Sequence, residues 1–202
     1  MIGFYFITDR KLSKNGILQD AEDGLLAGAR VIQYREKEKN ELEMVKEALG
    51  LRRITNKFGA LLIVNDNVKV ALASDADGVH LGQEDGNVAE ARKLLRGKII
   101  GVTVHDVKEA VKAEKEGADY LGVSPIFATS TKSDAGAAIG VDGLKRIRAK
   151  VKLPIVAIGG IDLGNAHEVI AAGADGICAI SAVSGEGVVG KVGKFAALFS
   201  HQ

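Results

Sequence analysis

At 202 residues with a formal net charge of +1, the chain is long enough for one well-buried core and carries no bulk charge to attract nucleic acid or a membrane surface. Hydrophobic residues make up 47% with 4% aromatic and no Trp, so the core must be built from Val, Ile, Leu and Ala, which suits short parallel strands between helices better than a sandwich. The apolar runs are too short for a transmembrane helix, Met1-Ile2-Gly3 lacks a basic start and a signal h-region, and the single Cys178 excludes an internal disulfide and a Cys-based zinc cluster.

Strand-like runs recur along the chain at Phe4–Thr8, Val31–Tyr34, Leu61–Asn65, Gly78–Leu81, Ile99–Thr103, Tyr120–Val123, Ile155–Ile158 and Gly176–Ile180. Between them lie helical segments such as Leu42–Lys57, Val107–Glu116, Gly143–Lys150 and Asn165–Ala172. Small-residue stops such as Gly117-Ala118-Asp119 and Gly173-Ala174-Asp175 cap a helix and feed the next strand. Eight such alternations predict an α/β fold, a single-domain (β/α)8 barrel spanning residues 1–202. An open doubly wound sheet is the competing topology, but no Gly-x-Gly-x-x-Gly follows the first strand.

A barrel places its functional residues at the C-terminal ends of its strands. Gln33, Arg35 and Lys37 alternate, so an extended backbone points all three to one side: an amide and two cations suited to a polar anion. Their neighbours Glu36, Glu38 and Lys39 make a solvated charged loop an equal reading. Asp66 and Asp85, ending the third and fourth strands, are a natural pair for Mg²⁺, although either could instead cap the following helix. Asn65 can hydrogen-bond the same ligand. After the sixth strand, Thr129-Ser130-Thr131-Lys132 offers three hydroxyls and an ammonium to a phosphate, against the simpler reading of a polar surface loop. Gly159-Gly160 and Ile180-Ser181 stand where such barrels bind a phosphate with backbone N–H groups. His80 and His105 fit hydrogen-bonded core positions better than catalysis, and Cys178 reads as a buried small hydrophobe.

The runs Tyr5-Phe6-Ile7-Thr8-Asp9-Arg10, Gln33-Tyr34-Arg35-Glu36-Lys37, Asn65-Asp66, His80-Leu81-Gly82-Gln83-Glu84-Asp85, Gly122-Val123-Ser124-Pro125-Ile126-Phe127, Thr129-Ser130-Thr131-Lys132 and Ala157-Ile158-Gly159-Gly160-Ile161 occur in this order. Together they resemble the thiamine-phosphate synthase family over nearly the whole chain. The resemblance implies a (β/α)8 barrel that joins 4-amino-5-hydroxymethyl-2-methylpyrimidine diphosphate to a thiazole monophosphate and releases diphosphate. It implies that Gln33, Tyr34, Arg35, Glu36, Lys37, Asn65, Thr103 and Lys132 hold the pyrimidine diphosphate, with Arg35, Lys37 and Lys132 acting on the leaving group. Asp66 and Asp85 would ligate Mg²⁺, while Thr129, Ser130, Thr131, Gly160, Ile180 and Ser181 would receive the thiazole phosphate. Thr103 stands where the family usually has Ser, which keeps a hydroxyl, and Gly86 follows Asp85 where a larger apolar residue is usual.

A related thiazole tautomerase is the nearest rival; it resembles the synthase but depends on a histidine after the sixth strand, and none occurs between His105 and His167. A Schiff-base aldolase would want a lysine on the sixth strand, and Tyr120–Val123 has none. A non-catalytic binder of thiamine phosphates would have little use for both Asp66 and Asp85. The expectation is a cytoplasmic transferase acting on small molecules, with no nucleic-acid or membrane partner and with homo-oligomerisation left open. The segment Ser133–Ile139 is expected to close over bound substrate.

Overall fold

A computed structural model describes residues 2–129 and 136–200, and among them all eight expected strands form one closed parallel barrel. The strands are β1 (Gly3–Ile7), β2 (Val31–Tyr34), β3 (Leu61–Asn65), β4 (Gly78–Leu81), β5 (Ile99–Val104), β6 (Tyr120–Val123), β7 (Ile155–Ile158) and β8 (Gly176–Cys178). Each is followed by a helix: α1 (Ile17–Leu26), α2 (Glu41–Phe58), α3 (Val68–Ala73), α4 (Val88–Leu94), α5 (Val107–Lys115), α6 (Gly140–Arg148), α7 (Ala166–Ala171) and α8 (Val188–Ala197). Strand order follows sequence order, and β8 closes on β1 with Gly3 opposite Gly176. The eighth strand stops short of the expected Ile180, whose carbonyl instead accepts from Val183 and Ser184 N–H in a turn. No helix among the described residues is long and apolar enough to cross a membrane.

Strand alternation divides the side chains between two cores. Phe4, Phe6, Ile32, Tyr34, Leu62 and Val64 face outward and pack with the helices. Tyr5, Ile7, Val31, Ile63, Tyr120, Val156, Cys178 and Ile180 cluster inside the barrel. Two tyrosines need room there, and glycine supplies it. A Cβ at Gly101 would run into the ring of Tyr120, and one at Gly122 would lie 2.8 Å from His80 Cε1.

The Ala-Asp entries to the even strands also brace the bottom of the barrel. Asp77 Oδ2 accepts from Leu62 N (2.7 Å), Asp119 Oδ2 from Ile100 N (2.7 Å) and Asp175 Oδ2 from Ile155 N (2.9 Å). An arginine from a neighbouring helix reaches the same oxygen each time: Arg52 at 2.6 Å, Arg92 at 2.6 Å and Arg148 at 3.2 Å. Each aspartate therefore satisfies the backbone of the strand before its own. Asp119→Ala strands the Ile100 N–H in a buried position, which should lower the unfolding free energy by about 1–3 kcal/mol in a urea melt. Turnover should stay unchanged, because the bottom of a barrel serves stability and the top serves chemistry.

Candidate active site

The loops at the C-terminal ends of β1 to β4 gather one charged cluster. Buried Thr8 follows β1, and its Oγ1 accepts from Arg35 N at 3.1 Å, which ties the β2 exit to the β1 exit. Asp9 Oδ2 lies 3.7 Å from Arg35 Nη1, and Lys37 Nζ lies 2.6 Å from Asp66 Oδ2. Gln33 points deeper into the barrel, where its Nε2 donates to Tyr5 Oη at 3.0 Å.

Asp66 and Asp85 stand side by side. Helix capping does not occupy either one: Asn67 caps α3 by accepting from Val70 N, and Asn87 caps α4 by accepting from Ala89 N. Asp66 adopts a left-handed φ of 62°, with its N–H donating to His80 O at 2.8 Å, so its side chain projects from a sharp corner at the end of β3. Asp85 folds back so that Oδ2 accepts from Gly82 N at 2.9 Å; a Cβ on Gly82 would come within 2.6 Å of that oxygen. Burial, then the adjacent Asp85 carboxyl, pushes the Asp66 pKa above its ordinary value, and Lys37 opposes the shift. Two carboxylates forced together, with one ammonium against Asp66, suit a divalent cation. Among the described residues no larger cluster of His, Cys, Asp and Glu forms, so such a cation would draw its other ligands from water and substrate.

The remaining residues expected at the site are distributed as follows. Asn65 is nearly buried at the end of β3, and Thr103 Oγ1 meets His80 Nε2 at 2.8 Å. A separate recess is lined by Thr129, Gly159, Gly160, Ile180 and Ser181 on the β6, β7 and β8 side. Its glycines are sterically required: a Cβ on Gly159 would lie 2.6 Å from Pro125 Cβ, and one on Gly160 2.6 Å from Ala128 O. The helix after β8 begins only at Val188, so the recess is framed by the turn at Ile180–Ser184 rather than by a helix start. Ser130, Thr131 and Lys132 lie outside the described residues, as do the first three residues of Ser133–Ile139.

Two expected residues turn away from the mouth. Tyr34 is fully buried between barrel and helices, and its hydroxyl donates to Glu47 Oε2 at 2.8 Å. The Glu36 side chain is 4% exposed and accepts from Arg10 Nε (2.7 Å), Lys37 N (2.8 Å) and Glu38 N (2.9 Å). Arg10 also grips Glu47 at 2.6 Å, so Arg10, Glu36 and Glu47 hold the loop that carries Arg35 and Lys37. Residue type and spacing do not single out Arg10, Glu47, Tyr5 or Tyr120 for the site. Only the parity of Tyr5 with Ile7, and of Tyr120 with Gly122, signals that the tyrosines face inward.

A closed (β/α)8 barrel with cations, paired carboxylates and a glycine-lined recess at its C-terminal mouth has the layout of an enzyme for phosphorylated small molecules. The family model described as thiamine monophosphate synthase matches residues 4–183. A thiamine-phosphate synthase of Chloroflexus aurantiacus is 54% identical over 180 residues, covering 89% of this chain and 83% of the relative. One from Methanosarcina barkeri is 53% identical over 183 residues, covering 90% and 83%. The solved structure of a thiamine phosphate pyrophosphorylase from Pyrococcus furiosus superposes with a TM-score of 0.91 at 42% identity, covering 98% of this chain and 95% of that one. The chain belongs to the thiamine monophosphate synthase family, whose named members are transferases.

Proposed function

We propose that the whole chain is one catalytic domain joining 4-amino-5-hydroxymethyl-2-methylpyrimidine diphosphate to a thiazole monophosphate, yielding thiamine monophosphate and diphosphate. The observation that carries this reading is the presence of two unlike anion-suited regions at one mouth. One combines Arg35 and Lys37 with the Asp66–Asp85 pair; the other is the recess at Gly160 and Ile180.

Asp66 and Asp85 would hold Mg²⁺, and their enforced proximity is the feature that fits it. When bound, the ion would supply charge neutralisation for the leaving diphosphate. Lys37 would then exchange its bond to Asp66 for a diphosphate oxygen, joining Arg35 and, from the following loop, Lys132. The Gln33 amide and Asn65 would orient the pyrimidine. Thr129, Ser130 and Thr131, with the backbone at Gly160, Ile180 and Ser181, would hold the thiazole phosphate.

The pyrimidine amino group feeds electrons toward its methylene carbon, so the carbon–oxygen bond to diphosphate can break before the thiazole nitrogen forms the new carbon–nitrogen bond. No protein nucleophile is needed. The chain's work is to stabilise the departing charge and to place the nitrogen behind the reacting carbon. Diphosphate release should require both substrates and Mg²⁺, and in Asp85→Ala it should fall by at least about 100-fold. Tight binding of the thiazole phosphate without any release by wild type would favour a tautomerase or a passive binder.

A further inference from the structure

A row of buried polar side chains crosses the barrel beneath the mouth. Gln33 Nε2 donates to Tyr5 Oη at 3.0 Å, and Tyr5 Oη lies 2.8 Å from Tyr120 Oη. Tyr120 Oη in turn lies 2.8 Å from His80 Nδ1, and His80 Nε2 lies 2.8 Å from Thr103 Oγ1. The first four of these residues are at most 8% exposed, and Thr103 ends the row at the partly exposed end of β5.

The direction of the row is set at its glutamine end. An amide nitrogen has hydrogens to give and no lone pair to offer, so the Tyr5 oxygen accepts there. A buried hydroxyl hydrogen is costly to leave unpaired, and Tyr120 Oη is the acceptor within reach of Tyr5 Oη, so in the sense proposed here the Tyr5 hydrogen goes to Tyr120 and the Tyr120 hydrogen to His80 Nδ1. A neutral imidazole that accepts at Nδ1 carries its hydrogen on Nε2 and donates it to Thr103. The Thr103 oxygen then accepts from His80, which leaves its own hydrogen to be given to another partner. Burial raises the pKa of both phenols, so each keeps the hydrogen the row requires.

We propose that Gln33, Tyr5, Tyr120 and His80 form a one-way hydrogen-bond relay that fixes the Thr103 hydroxyl as a donor to an anionic oxygen in the barrel mouth. Tyr5, Tyr120 and His80 are positioning residues, acting through Thr103 rather than on substrate. The inference rests on the diphosphate reading above. It adds that the ring end and the diphosphate end of that site are wired together: Gln33 spends its nitrogen on the relay and keeps its oxygen for the ring.

The ¹⁵N spectrum of histidine-labelled protein, with His80 assigned by its absence in His80→Asn, reads the relay without substrate. The expected form is Nε2-protonated, and Nδ1 protonation overturns the proposal. In kinetics, Tyr120→Phe should lower kcat/KM for the pyrimidine diphosphate by about 10- to 100-fold. In a Thr103→Val background the same change should have little further effect, and an equal loss in both backgrounds overturns the relay. If Tyr120→Phe does not fold, the wild-type tautomer still decides. An Nδ1-protonated His80 in an active synthase would sink the relay alone. An Nε2-protonated His80 in a protein that never releases diphosphate would sink the proposed function, and with it the purpose of the relay.

Discussion

Asp66→Asn should lose diphosphate release by roughly 1,000-fold, since a carboxylate that helps a metal stabilise a leaving group is worth several kcal/mol at about 1.4 kcal/mol per tenfold. The same variant should be as stable as wild type in the absence of metal, or more so. Burial and the neighbouring Asp85 raise the Asp66 pKa, which means that the folded state disfavours the Asp66 charge. Above the ordinary value of 3.8 the folded protein therefore binds more protons than the unfolded chain, and stability falls as pH rises through the folded value. Asparagine removes that slope, and it tolerates the left-handed backbone at this corner. The lost Lys37 contact is a half-exposed ion pair and contributes little. Thermal melts across pH, with and without Mg²⁺, check this. Wild type should gain stability from the metal and the variant should not. A variant that is destabilised at neutral pH without metal would show that Asp66 is structural instead.

The fold was legible because parallel strands buried on both faces leave unbroken apolar runs, and small-residue stops such as Gly117-Ala118-Asp119 and Gly173-Ala174-Asp175 mark where a helix hands over to the next strand. All eight strands were located, with errors confined to ends such as Ile180, where a turn carbonyl rather than a residue preference ends the ladder. The gathering of residues at the mouth was legible where residue type marks it: the cations Arg35 and Lys37, the carboxylates Asp66 and Asp85, and the glycines at 159 and 160. Whether an aspartate near a helix start is a cap or a ligand depends on which side chain reaches the N–H groups, and here Asn67 and Asn87 took that role. Contacts between distant strands were not legible. Nothing local in Tyr5 and Tyr120, 115 positions apart, says that their hydroxyls meet at 2.8 Å. Nor does the Gln-Tyr-Arg-Glu-Lys run separate side chains aimed at the mouth from those that hold the run in place.

That distinction makes Glu36 the sharpest test of how the mouth is built. Its carboxylate is nearly buried, and it ties Arg10 to two successive backbone N–H groups of the loop that presents Arg35 and Lys37. Burial alone would raise its pKa, but hydrogen bonds from Arg10 and from Glu38 and Lys37 N–H outweigh burial and lower it. A depressed carboxylate adds stability that is present above its unfolded value of 4.5 and is lost as pH falls through the folded value. Glu36→Ala leaves the Arg10 guanidinium half-paired and both loop N–H groups without their acceptor. The expected cost is about 2–4 kcal/mol of stability, below the full value for a buried pair because Arg10 reaches solvent. Activity should fall about 100-fold at neutral pH, because a displacement of the two cations of about 1 Å is enough for such a loss. Glu36→Gln keeps an acceptor for the backbone and loses only the charge, so it should retain most of the activity while giving up the acid-side dependence of stability. If glutamine proved as damaging to turnover as alanine, with the fold intact by melt, the Glu36 charge would be acting on substrate rather than holding the loop.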